Sequence, residues 1–204
     1  MHEQRTSIST AGAAVLIVDM QNDFCHPEGV FAKAGLVLDD SNSLVDRING
    51  LVNTARMNGL PIIWIRMEWP DDVSVGKLAD RSPFLRTEGL RRNTWGSQLM
   101  DTLDVNQHDH HVAKMRFSGF YDTDLNNLLR RLDIDTLIMT GVRTDFCIES
   151  TTRDAFFRDF DVIVAEDGVA GYREDLHSNS LQLMNTVFAS ILPVDDIESA
   201  FAKQ

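Results

Sequence analysis

Short, continuous apolar runs recur along the chain, and segments with helical spacing separate them. Because these runs do not alternate with polar residues, strands built from them would be covered on both faces. Strands of this kind, alternating with helices, are typical of a parallel sheet between two helical layers. The sequence therefore predicts an α/β fold, a three-layer doubly wound sandwich. The predicted strands are 13–18, 61–67, 111–113, 135–140, 162–165 and 191–194.

The segments between the strands indicate the helices. In 41–57, apolar residues recur every three or four positions, and Asn58-Gly59 ends the pattern as a helix C-cap does. We predict further helices at 123–132, 146–158 and 176–188, and a short one to the end. The segment 78–98 is polar, rich in arginine and without a clear period, so we expect a long irregular excursion. Since no linker or repeat divides the chain, we predict a single domain over residues 1–204.

Composition limits the classes of partner and compartment. The net charge is -12, and nucleic acids bind basic surfaces, so we predict no nucleic-acid partner. No apolar run approaches the roughly 18 residues of a membrane helix, and residues 1–10 lack the apolar core of a signal peptide. Two cysteines do not make a disulfide framework. We therefore expect a soluble, cytoplasmic protein without a membrane partner.

The segment 137–151 carries the strongest chemical signal. It indicates a buried strand, a turn marked by Gly141, and a helix with Cys147 in its first turn. We expect the helix dipole to lower the pKa of this thiol and make it a nucleophile. Asp19 and Lys114 also follow predicted strands, and the carboxyl ends of parallel strands share one edge of a sheet. The three side chains are therefore predicted to converge, with Asp19 as general base and Lys114 holding the thiolate.

Each of these residues, taken singly, has an ordinary alternative role. An aspartate after a strand often caps a turn, and a cysteine on an apolar helix is often inert core. A lone lysine is most often a solvated charge.

Three motifs, in order, resemble those of the isochorismatase-like cysteine hydrolases. They are VLIVDMQNDF at 15–24, AK followed by RFSGF at 113–120, and GVRTDFC at 141–147. The resemblance implies a six-stranded, mainly parallel sheet and a catalytic Asp-Lys-Cys triad, here Asp19, Lys114 and Cys147. It also implies a cis peptide at Val142-Arg143, with the amides of Arg143 and Cys147 forming an oxyanion hole. Self-association as a homodimer or homotetramer is a further implication.

The substrate class follows from the same resemblance. The stretch 114–129 is most similar to the ureidoacrylate amidohydrolase and N-carbamoylsarcosine amidase branch. We therefore predict an amidohydrolase that cleaves a C–N bond of a small amide or ureide through a thioester. The alternatives are an isochorismatase-type or nicotinamidase-type hydrolase, and a non-catalytic binding member of the fold.

We predict neither a metal nor another cofactor. Nicotinamidases bind a metal through histidines after the second strand, and residues 64–76 contain none. We interpret His108, His110 and His111 as part of a solvated loop rather than a metal site.

Four residues are predicted to bind substrate. Phe24 resembles the aromatic residue that lines the pocket in this superfamily, while Trp69 and Trp95 lie in or beside the irregular excursion. Core packing is the alternative for each aromatic residue. Arg143 stands where the family often has a small residue, so its side chain either meets the substrate or forms a surface salt bridge.

Overall fold

A computed structural model of the chain describes residues 11–201, so the polar segment 1–10 lies outside the described residues. Its centre is a six-stranded sheet in which all neighbouring strands are parallel. Numbered along the chain, the sheet order is β3-β2-β1-β4-β5-β6. The strands are Ala13–Val18 (β1), Ile62–Met67 (β2), His110–Lys114 (β3), Thr136–Val142 (β4), Asp161–Ala170 (β5) and Ser190–Leu192 (β6).

Helices cover both faces of this sheet, which confirms the predicted α/β sandwich. The α-helices of the described part are Asn22–Cys25 (α1), Val30–Lys33 (α2), Ser41–Met57 (α3), Leu78–Arg81 (α4), Leu125–Arg131 (α5), Glu149–Phe156 (α6), Glu174–Val187 (α7) and Val194–Phe201 (α8). Helix α3 packs against α8, and α6 packs against α7. Crossovers that leave the sheet centre in opposite directions place their helices on opposite faces. None of the described helices is long and apolar enough to cross a membrane.

The sheet order marks the edge of the sheet at which a ligand is expected to bind. From β1 the chain moves to β2 and β3 on one side, then returns to β4 on the other side of β1. The order therefore reverses between β1 and β4, and crevices at such points bind ligands beyond the carboxyl ends of the strands. Every residue of β1 and β4 is buried, so this part of the scaffold is rigid.

Most element types were predicted correctly, but some boundaries were wrong. Strand β5 continues to Ala170, whereas the prediction stopped at Ala165. The apolar run is interrupted there by two polar residues and a glycine, Glu166, Asp167 and Gly168. At the same place the pairing of β4 with β5 changes register. Of the three histidines interpreted as a solvated loop, His110 and His111 belong to β3, whose predicted start was residue 111.

Candidate active site

Asp19 is the first residue after β1. It has a φ of 54°, which aspartate tolerates better than most residues because its short side chain bonds locally. Its amide donates to Ile65 O of the neighbouring strand at 2.8 Å, and its side chain is fully buried. The left-handed conformation ends the strand and holds the carboxylate at the switch point of the sheet.

Lys114 is the last residue of the edge strand β3, and its ammonium is fully buried. Nζ lies 2.7 Å from Asp19 Oδ2, 3.4 Å from Cys147 Sγ and 3.2 Å from Arg116 O. An ammonium has three donors, so these three acceptors match its capacity. Lys114 therefore joins the residues that follow β1 and β4, and the structure brings the three predicted side chains together.

Cys147 lies in a π-helical turn, Thr144–Ile148, rather than in the first turn of an α-helix. The wide turn is closed by the amide of Ile148, which donates to Arg143 O at 3.0 Å, and α6 begins only at Glu149. The thiol is buried. Turns of this kind often occur at functional sites because the extra residue re-aims a side chain.

The pKa of Cys147 contradicts the expectation of an acidic thiol. Burial raises this pKa, the Asp19 carboxylate raises it further, and Lys114 offsets only part of the effect. The physical reason is that a buried thiolate loses its hydration and faces a carboxylate, which outweighs the helix dipole. The thiol is therefore protonated at neutral pH and requires a base.

Asp19 has the environment of such a base. Burial raises the pKa of its carboxyl group, and the interactions with Lys114 and Cys147 offset this only in part. Burial by itself lowers the pKa of Lys114, but Asp19 and Cys147 raise it overall, so the lysine remains a cation. Asp19 Oδ1 accepts no well-formed hydrogen bond from the described residues, although the thiol is close enough to influence the carboxyl pKa. This oxygen is free to accept the thiol proton.

The backbone around Arg143 has two unusual features. The peptide between Val142 and Arg143 is cis, as the family resemblance implies. Gly141 has a φ of 110°, and a Cβ there would lie 2.2 Å from Val18 O. Only glycine fits this approach of β4 to β1, so Gly141 fixes the path of the chain into the nucleophile turn.

The side chain of Arg143 is partly buried beside the nucleophile turn, and of its two predicted roles the structure shows the salt bridge, although a mostly shielded one. Its Nη2 donates to Asp145 Oδ2 at 2.8 Å, and both side chains are mostly shielded from solvent. The guanidinium lies over Phe146 at 4.4 Å and over Tyr172 at 4.6 Å, measured to the ring centroids. Asp145 therefore balances the positive charge, and two aromatic rings fix the guanidinium plane.

The three predicted aromatic pocket residues lie in different surroundings. Phe24 is buried with its ring 4.5 Å from that of Phe31. Trp69 is fully buried, and its indole N–H donates to Met115 O at 3.0 Å. Trp95 is half exposed and packs edge-on against His26. Of the three, Trp69 contacts the loop that directly follows Lys114.

Three polar residues that sequence reasoning missed organise the walls of the site. Gln21 Nε2 donates to Met67 O and Ser97 O, each at 2.8 Å. Asp23 accepts from the amides of Val30 and Leu90. Gln21 and Asp23 together therefore tie the irregular segment 78–98 to the end of β1. The available signal was their place in the 15–24 motif, directly after a buried strand.

Thr151 is the third of these residues. It is fully buried, and its hydroxyl donates to Cys147 O at 2.6 Å. The Thr151 hydroxyl oxygen in turn accepts from the amide of Gly119 at 3.0 Å. Thr151 therefore links the nucleophile turn to the loop after β3, whose Arg116 carbonyl accepts from Lys114 Nζ. A helical threonine gave no distinguishing pattern in the sequence.

Within residues 11–201, no group of three or more His, Cys, Asp or Glu side chains is arranged to hold a metal ion. Cys25 is buried, with Sγ 4.0 Å from Asp19 O, and burial raises its pKa.

Comparison with known proteins places the chain in a family. Residues 13–196 match the model of the isochorismatase domain. Ureidoacrylate amidohydrolase RutB of Methylobacterium radiotolerans is 32% identical over 209 residues, covering 95% of this chain and 81% of the relative.

Two solved structures share the whole architecture. A cysteine hydrolase from Pseudomonas syringae pv. phaseolicola has a TM-score of 0.88 and 28% identity, covering 97% of this chain and 95% of that chain. N-carbamoylsarcosine amidase from Thermoplasma acidophilum has a TM-score of 0.73 and 28% identity, covering 90% of this chain and 96% of that chain. The predicted resemblance is confirmed: the chain belongs to the isochorismatase family and is an enzyme of the hydrolase class.

Proposed function

We propose that this protein is a cysteine-dependent amidohydrolase that cleaves a C–N bond of a small amide or ureide. The substrate is of the ureidoacrylate or carbamoyl-amide type. The observation that carries this proposal is the buried contact of Lys114 with both Asp19 Oδ2 and Cys147 Sγ. A cysteine that merely packs in the core has no need of a buried ion pair beside it. The names of the relatives, a ureidoacrylate amidohydrolase and an N-carbamoylsarcosine amidase, support the same reaction class.

Acylation begins with the protonated thiol. Asp19 Oδ1 takes the proton as Sγ attacks the substrate carbonyl carbon, which converts the carbonyl to an oxyanion. The amides of Arg143 and Cys147 stabilise that oxyanion as an oxyanion hole. When the C–N bond breaks, Asp19 returns the proton to the leaving nitrogen, so ammonia or an amine departs and a thioester remains.

Deacylation uses the same groups in reverse. Asp19 takes a proton from water, and the resulting hydroxide attacks the thioester carbonyl. The C–S bond then breaks, and Asp19 returns the proton to sulfur, which restores the thiol. Throughout both steps Lys114 remains a cation and stabilises the negative charge on Asp19 and on the departing sulfur. The mechanism requires no cofactor.

The test is product release across a panel of ureides, carbamoyl amino acids, nicotinamide and biuret. We expect wild type to release ammonia or amine from at least one ureide or carbamoyl compound. Cys147→Ser is expected to abolish turnover while keeping the fold, because an alcohol lacks thiolate nucleophilicity. Substantial activity in the pure Cys147→Ser protein would refute the assignment, and circular dichroism verifies the fold.

A further inference from the structure

Helix α7 carries two polar side chains on the face that it turns to the protein interior. Ser180, Leu181 and Met184 are buried, and His177 is partly buried one turn earlier. These four residues have the i, i+3, i+4, i+7 spacing of one helical face. Because buried polar groups are costly unless they are hydrogen-bonded, the two polar members of this face are expected to have specific partners. The helix packs against the π-helical turn that contains the nucleophile.

Both polar side chains contact the same residue of that turn, Thr144, which is fully buried. His177 Nδ1 lies 2.8 Å from Thr144 Oγ1. Either tautomer of the imidazole makes this hydrogen bond, since a hydroxyl both donates and accepts. The Ser180 hydroxyl donates to Thr144 O at 3.2 Å, and the same carbonyl accepts from the amide of Glu149. Helix α7 therefore holds Thr144 by its side chain and by its backbone.

Ionic contacts between α6 and α7 fix Ser180 in turn. The proton of the Ser180 hydroxyl is shared between Thr144 O and Oε2 of the Glu149 carboxylate. Oε1 of that carboxylate accepts from Arg153 Nε at 2.9 Å and from Arg153 Nη2 at 2.7 Å. The Arg153 guanidinium lies 4.3 Å from the ring centroid of Phe188, the residue after α7. These contacts clamp the two helices together, so the contacts to Thr144 are in place before any substrate binds.

Thr144 lies between the two amides that the proposed mechanism assigns to the oxyanion hole. The amide of Arg143 is one residue before it, and the amide of Cys147 is three residues after it. An oxyanion hole is effective when its donors are fixed in advance at the position of the developing charge. A shift of Thr144 would therefore misalign these donors while leaving Asp19 and Lys114 in place.

We propose that His177 and Ser180 are positioning residues, which hold Thr144 from α7 and so keep the two oxyanion-hole amides aligned. The inference rests on the proposed function, because it adds a helix outside the triad to the same mechanism. In this role neither residue touches the substrate, and both act through Thr144. Their loss is expected to slow acyl transfer, which builds an oxyanion, and to leave the reactivity of the thiol itself unchanged.

The test compares two reactions of the same thiol. Acylation by p-nitrophenyl acetate forms the Sγ–acyl bond through an oxyanion, breaks the ester C–O bond and releases p-nitrophenolate. Methyl methanethiosulfonate transfers its methylthio group to Sγ as methanesulfinate leaves, and this reaction builds no oxyanion. In both reactions Asp19 takes up the thiol proton. Both rates are measured above the background of Cys147→Ala.

His177→Leu is expected to lower the acylation rate by about 10- to 100-fold, the cost of a small misplacement of catalytic groups. The rate with methyl methanethiosulfonate is expected to stay close to that of wild type. His177→Asn is expected to restore most of the acylation rate, because its amide places an oxygen or a nitrogen where Nδ1 was. The double variant of His177→Leu with Thr144→Val is expected to be no slower than His177→Leu, since the two side chains act through one bond.

Ser180→Ala and Ser178→Ala form a matched pair in the same helix. Ser178 is exposed, and its hydroxyl donates within the helix, to Glu174 Oε1 at 2.6 Å. Ser180→Ala is expected to slow acylation selectively, as His177→Leu does, whereas Ser178→Ala is expected to change neither rate. With a ureide that wild type hydrolyses, Ser180→Ala is expected to lower kcat and to leave KM unchanged.

Equal slowing of both reactions in His177→Leu would overturn the proposal, since it would indicate a general loosening of the site. So would an acylation rate equal to that of wild type, a failure of His177→Asn to recover, or an equal effect of Ser178→Ala. Selective slowing of acylation in a protein that hydrolyses no ureide or carbamoyl compound would support the positioning role and refute the proposed function. Circular dichroism and thermal melts verify that each variant is folded.

Discussion

Asp19 has two opposing effects on Cys147, and the structure separates them. As a carboxylate beside the thiol it raises the thiol pKa, so it keeps the nucleophile protonated at rest. As a base with a pKa raised by burial, it is suited to take that proton when substrate arrives. The sequence led us to expect an acidic thiol, because the pattern shows a helix start but shows neither burial nor a facing carboxylate.

The first prediction concerns Asp19→Asn. Removing the negative charge is expected to lower the pKa of Cys147, so iodoacetamide alkylates the thiol faster at neutral pH than in wild type. Turnover is nevertheless expected to slow by roughly 10²–10⁴-fold, because the proton acceptor is lost. The measurements are the alkylation rate as a function of pH and the steady-state rate of product release. Unchanged turnover would contradict the assignment of Asp19 as base, and slower alkylation would contradict its effect on the thiol pKa.

Lys114→Met is expected to shift the pKa of the Cys147 thiol in the opposite direction, upward. Because the ammonium lowers the thiol pKa, its loss raises that pKa and slows alkylation at every pH below it. The double variant tests whether the residues act as a unit: its turnover is expected to be little lower than that of the worse single variant. If the loss of turnover in the double variant equals the product of the two single losses, the two residues act independently.

At the scale of elements, the π-helical turn Thr144–Ile148 and helix α6 hold the nucleophile against the loop after β3. Thr151 makes that connection through Cys147 O and the amide of Gly119. Its neighbour Thr152 is equally buried, yet the Thr152 hydroxyl has no hydrogen-bond partner among the described residues. The two threonines are therefore a matched pair with different roles.

Thr151→Val is expected to lower kcat by about 10- to 100-fold with little change in KM, since a displaced nucleophile misses its line of attack. The free energy of unfolding is expected to fall by about 1–3 kcal/mol, because a buried amide and a carbonyl lose their partner. Thr151→Ser keeps the hydroxyl and is expected to restore kcat. Thr152→Val, the control, is expected to change neither quantity by much. Equal effects of the two valine variants in kinetics and thermal melts would refute the positioning role.

The elements also show how far sequence reasoning extends. Continuous apolar runs identified the strands, and helical spacing identified α3 with both its ends correct, because burial imposes those periods. The convergence of Asp19, Lys114 and Cys147 followed from parallel topology, which gathers strand ends at one edge. The π-helical turn was not predicted, because one extra residue in a turn leaves no periodic signal. One partner of the Arg143 guanidinium is the ring of Tyr172, which is distant in sequence, so only the fold reveals this contact.

For the whole molecule, the family resemblance leads us to predict a homodimer or homotetramer. Light scattering coupled to size-exclusion chromatography at micromolar concentration is expected to give two or four times the chain mass of 23.0 kDa. The mass is expected to stay constant over a tenfold dilution, as for a closed assembly. A mass of 23.0 kDa throughout would show that the protein is a monomer.

The proposed mechanism requires a covalent bond between the substrate and Cys147. The most direct test is mass spectrometry of the intact protein, quenched with acid during turnover of a ureide that the enzyme hydrolyses, followed by peptide mapping. We expect wild type to gain the mass of the acyl group, located on the peptide that contains Cys147 and removed by hydroxylamine, as a thioester is. Cys147→Ser, quenched in the same way, is expected to gain no thioester. Turnover without an adduct at any quench time, or an adduct on Cys25 instead, would contradict the account.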